Sequence, residues 1–298
     1  EYPIIQGGMA NIADHQLCAA VSNAGGFGLI GAGGWDVHRV REEIKKTRAL
    51  TDKPFGVNIM LMSPHAADIS DMVIEEGIKV ITTGAGNPGI YMEKWHQAGI
   101  KVIPVVPSVA LAKRLEKYGA DAIIVEGTEA GGHIGETTTF TLVPQVCDAV
   151  SIPVVAAGGI ADFRGFDAAT VLGASGVQIG TVLLASNECP IHINYKNKVA
   201  KAKDTDTVVT GRGTGAPVRV IKNKMSRQYL KLQKQKDVPL EEMEELTLGS
   251  LRKAVLDGDM DNGSIMAGQS AGLVKEVRSV KEILDGIYLN SLVARGVL

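Results

Sequence analysis

A histidine set among glycines follows directly on a strand-like apolar run at residues 122–125. The stretch at residues 126–135 reads Glu-Gly-Thr-Glu-Ala-Gly-Gly-His-Ile-Gly. Glycines let backbone N–H groups approach a flat or anionic ligand, and an imidazole titrates near neutral pH. His133 is therefore the candidate catalytic residue. Taken alone, the stretch also fits a glycine-rich turn whose histidine is merely solvated. The predicted elements around it are needed to choose between these two interpretations.

Eight short apolar runs recur along the first two thirds of the chain. They cover residues 3–6, 28–31, 55–59, 80–83, 102–106, 122–126, 154–157 and 177–180. Helical patterns lie between them, at residues 15–23, 37–50, 66–76, 89–97, 110–118, 142–150 and 164–172. This alternation predicts an α/β fold, a TIM (β/α)8 barrel. An open doubly wound sheet is the alternative, and the count of eight favours the barrel.

Five of the helical patterns end in a glycine shortly before the next strand, which is typical of helix C-caps. These glycines are Gly25, Gly77, Gly99, Gly119 and Gly173. The motif G-x-G-x-x-G also occurs, at residues 26–31. In a dinucleotide-binding fold this motif follows a strand and opens a helix. Here a helix precedes it and a strand occupies it, so we interpret it as structural.

The loops after the last two strands are candidates for binding a phosphate. In TIM barrels, catalytic groups lie at the carboxyl ends of the strands, and the loops after strands seven and eight often bind phosphate. Gly158-Gly159 and Gly180-Thr181 occupy those positions. A phosphate site beside a wide ring of polar strand ends suggests flavin mononucleotide (FMN), whose ring would lie across the barrel mouth.

The βα rhythm stops near residue 190, and a charged, helical pattern follows. We expect a helical cap at residues 194–262, with helices at 194–203 and 239–256, over a barrel made of residues 1–193 and 263–298. A last helix is expected at 280–293.

A basic run in the cap is either a solvated helix face or a docking site for an acidic protein. It comprises Lys222, Lys224, Arg227, Lys231, Lys234 and Lys236.

The amino-acid composition and net charge argue against several classes of protein. Of 298 residues, 45% are apolar, 4% are aromatic and 35 are glycine, which suits a parallel α/β core. A net charge of −2 gives no electrostatic support for nucleic-acid binding. The three cysteines form no metal-binding pattern, so we expect no metal site. No apolar run has transmembrane length, and we expect a cytoplasmic protein with some residues preceding Glu1.

Several motifs together resemble the nitronate monooxygenase superfamily of FMN-dependent TIM barrels. They lie at residues 6–10, 56–59, 129–133, 156–160 and 266–269. More specific stretches, at residues 53–60, 82–88, 219–223 and 258–269, resemble its enoyl-acyl-carrier-protein reductase II branch. The resemblance runs essentially from end to end and is weakest at residues 191–215.

The resemblance implies which residues contact FMN. Asn58 and Gln178 would contact the ring or ribityl chain, and Glu126 would border the ring edge. The phosphate would lie on Gly158, Gly159, Gly180 and Thr181. The remaining contacts implied are Gly8, Met9, Ala10, Ala130, Gly131, Gly132, Met266 and Gln269. A monovalent cation near the cap is also expected in this branch, although no ligand set is visible in the sequence.

The activity implied is reduction of a trans-2-enoyl thioester in bacterial type II fatty-acid synthesis. NADH or NADPH would reduce FMN, and FMN would reduce the thioester carried by acyl carrier protein. A homodimer is expected on the same ground. The alternative is a nitronate monooxygenase, which uses FMN and oxygen. A flavin-binding barrel without turnover would not need a titratable group at His133, and an aldolase-type barrel would need a strand-end lysine or carboxylate set that the chain lacks.

Overall fold

Eight parallel strands form a barrel in the computed structural model, which describes residues 1–235 and 239–298. All eight predicted strands are present, and their ends shift by no more than one residue. The barrel strands are β1 (Ile4–Gln6), β2 (Gly28–Gly31), β3 (Phe55–Met60), β4 (Val80–Gly84), β5 (Lys101–Val106), β6 (Ile123–Glu126), β8 (Val154–Ala157) and β9 (Gly176–Ile179). β7 (Gly132–His133) lies outside the barrel, in the loop after β6.

Parallel pairing runs from β2 through β3, β4, β5, β6, β8 and β9 to β1. The gap between β1 and β2 is bridged by two backbone hydrogen bonds. The Gln6 N–H donates to the Phe27 carbonyl oxygen at 3.0 Å, and the Phe27 N–H donates to the Ile4 carbonyl oxygen at 2.8 Å. The sheet is therefore nearly closed, which confirms the TIM barrel and excludes the open sheet. The motif at residues 26–31 contains β2, so it is not a dinucleotide fingerprint.

Helices surround the barrel: α1 (His15–Asn23), α2 (Val37–Leu50), α3 (Ala66–Glu75), α4 (Met92–Gln97), α5 (Val109–Lys117), α6 (Thr139–Cys147), α7 (Phe163–Val171), α8 (Thr181–Leu184) and α13 (Val280–Ala294). Side chains cap several of their N-termini, as at Asp14, Asp36, Ser108 and Asp162. A capping residue supplies an acceptor to an otherwise unpaired N–H. The five predicted C-cap glycines all adopt positive φ. Local chain chemistry thus sets most element boundaries.

The segment at residues 194–262 is mixed rather than helical. It contains α9 (Ile193–Ala200), α10 (Lys224–Gln233), α11 (Leu240–Thr247), α12 (Ser250–Arg252) and a π-helical turn at Lys253–Asp257. It also contains an antiparallel hairpin, β10 (Thr207–Thr210) and β11 (Val218–Ile221), which we did not predict. β11 pairs with β7, which joins the cap to the loop after β6, residues 127–135, called the glycine-rich loop. The predicted helix 239–256 is broken at Gly249, which has a φ of 70°.

The alternation of strands and helices in the barrel produces two apolar layers. The larger one lies between the strands and the outer helices. The smaller one, inside the barrel, is made only of strand residues: Ile5, Ile103, Val105, Ile124, Val155 and Ala157. This inner layer forms an apolar floor beneath the carboxyl ends of the strands. Within residues 1–235 and 239–298, no helix combines the length and the apolar character needed to cross a membrane.

Candidate active site

A cavity of about 610 Å³ opens at the carboxyl ends of the strands. Its volume lies within the range of small-molecule and cofactor sites. Every residue predicted to contact FMN, and His133, lines this cavity, with the exception of Gln269. The Gln269 side chain is exposed because the chain turns there into a 3-10 helix, Gln269–Leu273, and the next residue, Ser270, faces the cavity instead.

Two polar side chains, those of Glu126 and Gln178, reach the cavity because the strands alternate inward and outward. Ile124 lies in the inner floor, so Glu126, two residues on, stands directly above that floor. Glu126 pairs in register with Ala157, and Ala157 with Gln178. The small Ala157 on β8 therefore lies between Glu126 on β6 and Gln178 on β9, and the backbones of these two residues are about 10 Å apart at the usual strand spacing.

Two amides have well-defined surroundings. The Asn58 Nδ2 donates to Thr82 Oγ1 at 2.8 Å, which fixes the orientation of the Asn58 amide. Gln178 is buried, and its Oε1 has no hydrogen-bond partner among the described residues. An unpaired buried acceptor is costly unless a ligand donates to it. Gln178 thus marks a place where a bound molecule with an N–H or O–H group would be stabilised.

Backbone donors, not cationic side chains, are available for a phosphate. Gly158 and Gly159 have φ of 95° and 80°. The N–H groups of Gly159 and Thr181 have no acceptor within residues 1–235 and 239–298. No lysine or arginine is among the described lining residues. Unpaired N–H groups at glycine-rich turns bind anions, so these donors fit the phosphate of FMN.

The glycine-rich loop is held by Glu129, whose role the sequence did not reveal. The Glu129 carboxylate accepts from the Thr139 N–H at 2.8 Å and from the Thr139 hydroxyl at 2.9 Å. It thereby anchors the loop to the first turn of α6. The Arg219 Nε donates to the Thr128 carbonyl oxygen at 2.9 Å, which ties the same loop to β11.

Close packing brings the loop against the C-terminal segment. A Cβ on Gly131 would lie 2.7 Å from backbone atoms of Ala267 and Gly268. The Gly268 N–H donates to Thr181 Oγ1 at 2.8 Å, and the Tyr195 hydroxyl donates to the Met266 carbonyl oxygen at 2.8 Å. Thr181 therefore joins the end of β9 to the C-terminal segment, in addition to lining the cavity.

Replacing Glu129 with alanine is expected to lower the free energy of unfolding by about 1.5–3 kcal/mol, since the hydrogen bonds lost are made to a charged group. Urea unfolding of the FMN-loaded protein measures this change. Glu136→Gln is the matched control, because Glu136 is an exposed residue of the same loop whose carboxylate pairs only with Arg212. Equal stability of both variants and the parent would contradict the anchoring role.

Only two titratable side chains are among the described residues that line the cavity, Glu126 and His133. Burial raises the pKa of Glu126 to about 8. Burial lowers the pKa of His133 below its usual value, although the ring faces the open mouth. At neutral pH the carboxyl group therefore holds its proton and the imidazole is neutral. The site presents two neutral hydrogen-bond donors and no fixed charge of its own.

Several lining residues were not predicted from the sequence. They come from distant parts of the chain and are mostly apolar: Met60, Met62, Val105, Pro107, Leu111, Leu184, Pro217 and Leu251. Met60, Met62 and Pro107 lie at or just beyond the end of a barrel strand, which was their only signal in the sequence, whereas Leu111, Leu184 and Leu251 lie in helices. Together they give the cavity an apolar wall that suits a flat ring or a hydrocarbon chain.

Comparison with known proteins agrees with this geometry. The family model described as nitronate monooxygenase matches residues 1–290. The chain belongs to the nitronate monooxygenase family. Within the family it is similar to FabK from Thermotoga maritima, with a TM-score of 0.96 and 49% identity, covering 100% of this chain and 96% of that one. The resemblance identified in the sequence is thereby confirmed.

Two other relatives carry different names. A probable nitronate monooxygenase from Staphylococcus saprophyticus is 36% identical over 93% of this chain and 91% of its own length. A 5-hydroxy-7a-methyl-1-oxo-octahydro-1H-indene-4-carboxyl-CoA dehydrogenase from Mycobacterium tuberculosis is 31% identical over 98% of this chain and 93% of its own length. The matched family is named for a monooxygenase and one relative for a dehydrogenase, and this chain is accordingly an oxidoreductase.

Proposed function

We propose that this protein is an FMN-dependent enoyl-acyl-carrier-protein reductase. NADH or NADPH is the electron donor, and a trans-2-enoyl thioester is reduced to the acyl thioester. The observation that carries the proposal is the 49% identity to FabK over the whole chain. The thioester-linked name of the Mycobacterium tuberculosis relative agrees with a thioester substrate. The reaction belongs to bacterial type II fatty-acid synthesis, and we expect it in the cytoplasm.

The cavity fits FMN by its shape and its donors. FMN bound there supplies the two-electron redox chemistry that no side chain of the cavity provides. The N–H groups of Gly159 and Thr181 would hold the phosphate, and the buried Gln178 Oε1 would accept from the ring or the ribityl chain. The apolar wall excludes water and strengthens each of these hydrogen bonds.

His133 acts on the thioester in this proposal. Negative charge develops on the thioester oxygen as the double bond is reduced, and a preorganised donor stabilises that charge. The neutral imidazole keeps one ring N–H, which would donate to this oxygen. The ring is available, because β7 pairs with β11 only through the backbone.

Nitronate oxidation is the second candidate, favoured by the name of the Staphylococcus saprophyticus relative. A single FMN-loaded preparation separates the two functions under steady-state conditions. We expect NADH or NADPH oxidation that depends on crotonoyl thioester, with butanoyl thioester as the unreactive matched control. Oxygen-dependent consumption of ethyl nitronate, without thioester-dependent oxidation of either nicotinamide, would establish the monooxygenase instead.

Acyl carrier protein is the proposed partner, and α10 is its proposed docking face. Lys224, Arg227, Lys231 and Lys234 are exposed along one face of this helix and its C-terminus, and Lys222 is exposed just before it. Lys236 lies outside the described residues. Gln233, at the end of α10, lies against the turn at Gly213, and residues 215–217 of the same hairpin tip line the cavity. The basic face is therefore next to the cavity mouth, where an acidic carrier would deliver its acyl chain.

Charge reversal tests this docking. We expect Arg227→Glu combined with Lys231→Glu to raise the KM for the carrier-bound substrate about 10-fold at low salt, because steering between opposite charges is lost. The KM for a small crotonoyl thioester should stay constant. The neighbouring helix α11 offers the opposite control, since Glu245→Lys adds an exposed positive charge to a helix that packs against α10 and should lower the KM for the carrier substrate. Equal KM values in all three proteins would contradict docking on α10.

A further inference from the structure

Glu126 has no role in the mechanism described so far, and its surroundings are unusual for a carboxyl group. It stands above the apolar inner floor formed by Ile124, Val105 and Val155. Its side chain makes no hydrogen bond within residues 1–235 and 239–298. By contrast, the Glu129 carboxylate, three residues further on, is fully engaged with Thr139. Glu126 is thus an unpaired acid aimed into the cavity that receives the substrate.

No charge in the cavity wall compensates for ionisation of Glu126. The residues facing it from β6, β8, β9, the glycine-rich loop and the cap include His133 as the sole other titratable group among those described. His133 is neutral at pH 7 because burial lowers its pKa. A neutral imidazole is a poor source of a proton, whereas a carboxyl group that remains protonated at neutral pH can release one.

Resting on the proposed function, we propose that the Glu126 carboxyl group stores and donates the proton that completes reduction of the enoyl thioester. Bound FMN, once reduced, would supply the hydride and its two electrons at the β carbon. The electron pair of the double bond moves to the α carbon, where a C–H bond forms as the Glu126 O–H bond breaks. The carboxylate left behind recovers its proton from water. Hydride and proton together saturate the double bond, and charge is conserved.

The protonation of Glu126 should also depend on whether the bound flavin is oxidised or reduced. Reduction places additional negative charge beside the carboxyl group, which favours its protonated form. Burial raises the pKa of Glu126 to about 8 before reduction, so above pH 8 reduction should be accompanied by uptake of one extra proton. For a two-electron couple, one extra proton steepens the dependence of potential on pH by about 30 mV per pH unit.

Two measurements on the FMN-loaded protein test the proposal. The first is the midpoint potential of bound FMN from pH 6 to pH 10, and the second is the rate at which crotonoyl thioester reoxidises the pre-reduced protein. The test variant is Glu126→Gln, which keeps the size and polarity of the side chain but cannot donate a proton in this way. Glu136→Gln serves as the matched control on the exposed side of the same loop.

We expect Glu126→Gln to lose the steeper potential slope above pH 8 and to slow reoxidation at least about 100-fold, in line with general acid catalysis. In the parent, reoxidation should slow as the pH rises above 8, at the higher pKa that Glu126 has in the reduced protein. Glu126→Asp, which keeps a carboxyl group, should retain that dependence. An unchanged slope and unchanged reoxidation in Glu126→Gln would overturn this inference while leaving the proposed function intact. A parent protein that crotonoyl thioester does not reoxidise would overturn the proposed function, and the inference with it.

Discussion

Replacing His133 with alanine is expected to lower kcat/KM for crotonoyl thioester by about 10²–10⁴-fold, the range for loss of a catalytic hydrogen-bond or proton donor. The fold should persist, because the ring is exposed at the mouth and β7 pairs with β11 through its backbone alone. Steady-state kinetics, flavin content and the thermal midpoint measure these three properties in the same preparation.

Two variants control the His133 experiment. His38→Ala removes an exposed imidazole of the outer helix α2 that does not line the cavity, and it should leave kcat/KM within about twofold of the parent. His133→Gln restores an N–H donor and should recover part of the lost rate. Full activity of His133→Ala with FMN retained would show that the imidazole takes no part in the reaction.

Replacing Gly158 with valine is expected to weaken FMN binding by about 5–150-fold. The φ of 95° disfavours any L side chain, and holding one there costs about 1–3 kcal/mol. A Cβ at this position would also lie 3.0 Å from the Gly127 carbonyl oxygen and 3.2 Å from the Ala130 nitrogen. The strain therefore falls on the two loops that together would hold the phosphate and the ring edge.

Gly77→Val is the control for backbone strain alone. Gly77 has a φ of 65° in a surface turn, and a Cβ there would meet nothing within 4 Å. We expect this variant to lose stability but to bind FMN with the parent's dissociation constant. Fluorescence titration of apoprotein with FMN gives the comparison, and equal affinities of the Gly158 and Gly77 variants would contradict the phosphate role of the loop after β8.

Local chemistry explains why the barrel could be predicted from the sequence. Each barrel strand is a compact apolar run, Asp14 and Asp162 cap the helices that follow loops, and Gly25 and Gly173 end helices with positive φ. These signals lie within a few residues of the feature they determine. The strand-end positions of the fold then brought most candidate site residues to one cavity without any knowledge of side-chain contacts.

The features not predicted depend on contacts between distant segments. The strands β10 and β11 are four residues each within a charged segment, and the pairing of β11 with Gly132 and His133 is a tertiary contact. Gln269 was expected to contact FMN with Met266, but it does not line the cavity, because a 3-10 helix that begins at Gln269 leaves its side chain exposed. The Glu129–Thr139 anchor and the isolation of Glu126 likewise become visible only when β6, α6 and the loop are placed together.

The most direct test of the proposed reductase is the anaerobic reoxidation of the reduced, FMN-loaded protein by crotonoyl thioester, followed at the flavin absorbance. The account predicts rapid return of the oxidised flavin spectrum with crotonoyl thioester and no change with butanoyl thioester. A flavin that stays reduced with both thioesters and is reoxidised only by oxygen would contradict the enoyl reductase and favour nitronate oxidation.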